Sequence, residues 1–129
     1  MATSFSVHVP CQPESLREVR DAVDTLDDLD QRIFDAVKLV TNELVGNSVS
    51  HSGLGEDDYI EVTVARQRHL VRIDVHDSGS GFTLPDGQPQ RFGGRGFAMV
   101  QALSTLVGIS HNGETHAWAE IELPQLDAT

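Results

Sequence analysis

The chain lacks the marks of several protein classes. One cysteine among 129 residues, Cys11, cannot close an internal disulfide, so a reducing compartment, the cytoplasm, is the expected setting. No stretch approaches the roughly 20 apolar residues of a membrane helix. The start, Met1 to His8, alternates like a strand and has no basic segment leading into an apolar run, so neither membrane insertion nor an export signal is expected. Basic residues are scarce: nine Lys and Arg against twenty Asp and Glu give a formal charge of −11 and a pI near 4.7. Such a surface repels a phosphate backbone, which argues against nucleic-acid binding. It suits a basic protein partner, and it equally suits plain solubility. The six histidines (8, 51, 69, 76, 111 and 116) form no local pair with metal-ligand spacing, so zinc is not expected.

What is present is strong periodicity within a length that fits one domain, residues 1–129. Phe5, Val7 and Val9 alternate with polar neighbours as in a half-buried strand. Pro13 opens a helix whose apolar positions Leu16, Val19, Val23 and Leu26 carry it to about residue 27. The acidic turn Asp27 to Asp30 offers caps for a second helix over about 31–50. Alternation predicts strands at 59–66 and 70–77, then a Gly/Pro-rich loop, a helix over about 96–106, and strands near 107–112 and 115–123. The order implies an α+β fold with one sheet and helices over one face. Trp118 falls on the opposite side of its strand from Ala117, Ala119 and Ile121, which places it on the open sheet face, at a subunit contact or simply at the surface.

Three groups of residues carry candidate chemistry. Glu43 and Asn47, four apart on the second helix, share a face as a general base and a hard oxygen ligand for Mg²⁺, or as a plain polar strip. Asp77 continues the side of its strand occupied by Val71, Ile73 and Val75. If that side is the core, the carboxylate needs donors, and an adenine amino group is one. Gly79 and Gly81 then let the backbone approach a ligand, or simply form a strand-end turn. Gly93, Gly94, Arg95 and Gly96 run into an amphipathic helix, whose free N–H groups make an anion site or only a hinge and cap. No Gly-Lys-Ser/Thr follows, so this is not a P-loop.

Taken together, ELVGN at 43–47 with His51, DSGSGF at 77–82 and GGRGFAMV at 93–100 resemble the N box and two glycine boxes of the GHKL class. That class comprises the ATP-binding domains of histidine kinases, gyrase-type topoisomerases, a heat-shock chaperone and a mismatch-repair ATPase. Gly113-Glu114-Thr115 resembles its final threonine-bearing strand, and the resemblance runs from Phe5 to Pro124. It implies a two-layer, Bergerat-type sandwich with a mixed, largely antiparallel sheet. Asp77 would hold the adenine amino group with support from Thr115; Asn47 would ligate Mg²⁺; Glu43 would act as base. Gly79, Gly81, Gly94, Arg95, Gly96 and Phe97 would line the nucleotide.

The box forms are most similar to the anti-sigma-factor serine/threonine kinases. That implies a sigma factor and a small STAS-type antagonist as partners, with no nucleic acid or membrane, and a homodimer left open. Two alternatives stand beside it: a nucleotide-gated binding module without turnover, and a detached histidine-kinase catalytic domain. The chain departs from the better-known members in its lid, where ten residues, Thr83 to Phe92, hold Arg91 as the sole basic residue. Gly46 is a second departure, expected to loosen the helix by roughly 1 kcal/mol relative to alanine or to make room for a neighbour.

Overall fold

Alternating side chains produce the sheet. The computed structural model describes residues 3–51, 58–78, 96–111 and 114–124, with only the backbone at His51, Gly96, Phe97 and His111. Five strands form one sheet: β1 (Ser4–Pro10), β2 (Tyr59–Arg66), β3 (Leu70–Asp77), β4 (Leu106–His111) and β5 (Thr115–Glu122). Their order is β1-β2-β3-β5-β4, and every pairing among the described residues is antiparallel. Helices α1 (Ser15–Val23), α2 (Gln31–His51) and α3 (Gly96–Leu103) complete the described elements. This is the α+β arrangement expected from the order of elements.

Register puts one apolar set on the helix side. Val62 stands opposite Val75, Ile73 opposite Ala119, and Val75 opposite Ala117. These residues are buried with Val19 and Val23 of α1, Val37, Val40, Leu44 and Val45 of α2, and Val100 of α3. Each buried aliphatic side chain contributes roughly 1.5–3 kcal/mol. The opposite face is polar, with Ser6, Thr63, Arg72, Asp74, His76, His116 and Glu120.

Strands β2 and β3 fall where alternation places them, whereas two helices are shorter than periodicity suggests. After Val23 the chain tightens into i→i+3 bonds, Thr25 N to Ala22 O and Leu26 N to Val23 O, both 3.0 Å. The Thr25 hydroxyl also donates to the Ala22 carbonyl at 2.6 Å. Helix α3 stops at Leu103 because strand pairing claims the backbone beyond it: Thr105 N donates to Glu120 O at 2.7 Å. Asp30 caps α2, its carboxylate accepting from Ile33 N at 3.0 Å.

Two glycines make opposite predictions. Gly46 has nothing within 4 Å of where a Cβ would stand, so it makes room for no described neighbour. Gly46→Ala is expected to stabilise the fold by about 1 kcal/mol. Gly108 faces Trp118 across the β4–β5 pair, and a Cβ there would land on the indole. The indole also lies 5.5 Å from the Arg72 guanidinium and 4.9 Å from the His116 ring. Gly108→Ala should therefore cost about 2 kcal/mol. Thermal unfolding followed by circular dichroism checks both, and a Gly108→Ala protein as stable as the parent would refute the packing.

Candidate functional site

The polar residues singled out in the sequence gather at one end of the two-layer core. Asp77 closes the inner row of β3 after Val71, Ile73 and Val75, and it is 3% exposed. Thr115, directly opposite on β5, is 1% exposed, and Ile60 flanks Asp77 on β2. The side that Asp77 shares with Val71, Ile73 and Val75 is therefore the core side, the condition the sequence reading had left open. Direct cross-strand partners have Cβ atoms roughly 4.5–5.5 Å apart, so Thr115 is a neighbour of the carboxylate.

Helix α2 brings the second group to this end. The Cys11 thiol lies 3.8 Å from the Ser48 carbonyl. Cys11 N in turn donates to Asp58 O at 2.8 Å, two residues before Ile60, the partner of Asp77. The last turns of α2 and the end of β3 thus share one end of the sandwich. Asn47 is 2% exposed, and its Nδ2 has no hydrogen-bond partner among the described residues. Glu43, one turn earlier on the same helix, is half-buried. The plain polar strip is excluded for Asn47, because a solvated strip would not bury an amide.

An unpartnered buried amide costs on the order of 1–3 kcal/mol. A ligand that satisfies it recovers that cost. The unpartnered Nδ2 is a donor that a phosphate oxygen would satisfy, and Oδ1 is an uncharged hard oxygen of the kind Mg²⁺ accepts, so the residue fits the Mg-nucleotide the resemblance implies. Thr41 is fully buried, with its hydroxyl unpartnered among the described residues. Sequence reading passed over Thr41. The available signal was a hydroxyl between Val40 and Leu44 on the core side of α2.

Gly79, Gly81, Gly94 and Arg95 lie outside the described residues. Gly96 begins α3, which packs on α2, and the Phe97 side chain is not described. A recess of about 430 Å³ borders the same end, lined by Asp77 and Ser78 together with His8, Tyr59, Glu61 and His76. Most of that lining belongs to the polar outer face, and its carboxylates would repel a triphosphate. It is distinct from the space between the layers.

No described helix is long and apolar enough to cross a membrane. The histidine kinase AdeS of Acinetobacter baumannii superposes with a TM-score of 0.57 over 94% of this chain and 68% of that chain, at 16% identity. At that identity the likeness speaks for the fold. No curated protein shows a significant match. Residues 9–120 match the family described as the histidine kinase-like ATPase domain. That span holds Glu43, Asn47, Asp77 and Thr115, and with it the chain belongs to the histidine kinase-like ATPase domains, the ATP-binding modules of the GHKL class.

Proposed function

We propose that this domain is an ATP-dependent serine/threonine protein kinase of the anti-sigma type, which binds a sigma factor and phosphorylates a small STAS-type antagonist. The observation supporting its nucleotide site is the buried polar set, Asp77 and Thr115 on the sheet and Asn47 on α2, at one end of a largely apolar interface. Burial of the Asn47 amide, whose Nδ2 has no partner among the described residues, is costly without a ligand. Asp77 presents an acceptor to the adenine amino group, and Thr115 stands beside it. Asn47 would hold Mg²⁺, which when bound offsets phosphate charge. The N-terminus of α3 at Gly96 offers N–H donors for the phosphates, and Gly94 and Arg95 are assigned to the phosphates from the sequence alone.

In the transfer, the oxygen of a target serine or threonine attacks the γ-phosphorus of ATP as the bond to the β–γ bridging oxygen breaks. ADP leaves, and the hydroxyl proton passes to the Glu43 carboxylate. The sequence-based choice among GHKL branches rests on the ELVGN and GGRGFAMV forms and carries the Ser/Thr assignment. A cytoplasmic setting is part of this reading, in keeping with a single cysteine, Cys11.

The short segment from Thr83 to Phe92, with Arg91 its sole basic residue, favours a second reading. In it ATP binding alone gates partner release. Incubation with γ-labelled ATP and the sigma factors and STAS-type proteins of the same genome distinguishes them. Label that survives acid on a serine or threonine of a STAS-type protein is the expected result. Acid-labile label on histidine would refute the branch assignment, and ATP binding with no label on any protein would leave the gating reading in its place.

A further inference from the structure

Histidines far apart in sequence meet on the outer face of the sheet. β3 and β5 are neighbours although β4 lies between them in the chain. His76 stands opposite His116, and Asp74 lies two residues along on the same face as His76. The imidazoles stack with centroids 3.9 Å apart and planes at 13°. His116 Nε2 is 2.7 Å from Asp74 Oδ1. One ligand atom from each of Asp74, His76 and His116 can be chosen so that all lie within 4.8 Å of one another.

We propose that Asp74, His76 and His116 bind a divalent transition-metal ion of the Zn²⁺ class. Two imidazoles and one carboxylate are the donor set such borderline ions prefer, whereas Mg²⁺ prefers oxygen. Bonds of about 2.0–2.1 Å to a tetrahedral ion put ligand atoms roughly 3.3 Å apart. Side-chain rotations of about 1 Å close the present triangle to that size, and the ion takes the place between His116 and Asp74 that a proton now occupies.

The surroundings support the three ligands. Arg72 donates to both Asp74 oxygens at 3.0–3.2 Å and to Glu120 at 2.9 Å, which orients the carboxylate as partners of metal ligands do. Asp74 and Glu120 against the single Arg72 leave one net negative charge with the histidines neutral. The three ligand residues are all partly exposed, and His76 also borders the 430 Å³ recess, which gives an ion a path from water. The site is separate from the nucleotide residues, because Asp77 and Thr115 turn inward where His76 and His116 turn outward.

Spacing along the chain could not show this site. The expectation against zinc rested on the absence of paired metal-ligand spacing in the sequence, whereas these ligands meet through strand pairing.

Trp118, the only tryptophan, reports on the site, its ring 4.9 Å from that of His116. Untagged protein titrated with Co²⁺ should lose tryptophan emission and gain visible absorption at one equivalent. One equivalent of Zn²⁺ should reverse both, while excess Mg²⁺ should not. His76→Ala and His116→Gln should each weaken binding by at least about 100-fold. Glutamine at 116 still donates to Asp74, so a merely structural histidine would tolerate it and the fold is kept. His8→Ala, on the same face, should bind as the parent does. No saturation at one equivalent, displacement by Mg²⁺, or unaltered Co²⁺ binding in both ligand variants would overturn the site.

Discussion

Asp77→Asn is expected to weaken Mg-ATP binding by roughly 100-fold, near 2.7 kcal/mol, in calorimetric titration. The carboxylate sits 3% exposed beside Thr115, where a hydrogen bond to a charged acceptor is worth the upper part of its usual range. Asparagine is nearly the same size and removes a buried charge, so the fold should survive. Its amide, however, can turn a donor toward the adenine amino group, which is itself a donor. The same change should narrow discrimination against Mg-GTP, because guanine carries an acceptor where adenine carries the amino group. Unaltered ATP affinity in the variant would remove Asp77 from the nucleotide site. An equal loss for both nucleotides would show that the residue supports the pocket without reading the base.

That prediction draws on something the sequence already showed. Parity put Asp77 on the same side of its strand as Val71, Ile73 and Val75 and left open whether that side is the core; the burial of all four residues makes it the core side. Period-two alternation defines both faces of a strand at once, so β2 and β3 were legible to their ends. Helix ends were less so. The periodic apolar position Leu26 continues past the last helical hydrogen bond into a tight turn at Thr25–Leu26, and the helix expected to about 106 stops at Leu103, with β4 starting at Leu106. Apolar spacing marks what is buried; it does not mark which backbone partner a carbonyl finally takes.

The candidate site divides in the same way. Local relations were readable: Glu43 and Asn47 one turn apart, and Asp77 at a strand end. Their difference in burial was not, since Asn47 is enclosed while Glu43 is half-buried, and that depends on where α2 crosses the sheet. The Asp77–Thr115 neighbourhood came from family resemblance and agrees with the pairing of β3 and β5. The His76–His116 stack came from neither, because it requires β5 to insert between β3 and β4. Gly79, Gly81, Gly94 and Arg95 stay expectations from the sequence alone.

Glu43→Gln should separate binding from chemistry. Glutamine keeps the length and helix preference of the native residue on α2, and Glu43 is half-buried, so no large cavity or folding defect follows. Under the proposed kinase reading the nucleotide is held by Asp77, Thr115 and Asn47, and Mg-ATP affinity should stay within about threefold of the parent. Glutamine cannot accept the hydroxyl proton, and loss of a positioned general base costs roughly 10²–10⁴ in rate. Single-turnover transfer from γ-labelled ATP to the protein substrate measures that loss directly, with the calorimetric affinity as its companion. A rate that falls with affinity intact assigns the base. If transfer continues at the parent rate, Glu43 is not the base and the proton leaves by another path. If affinity collapses along with transfer, Glu43 contributes to holding the nucleotide, and the division of labour between the two α2 residues must be redrawn.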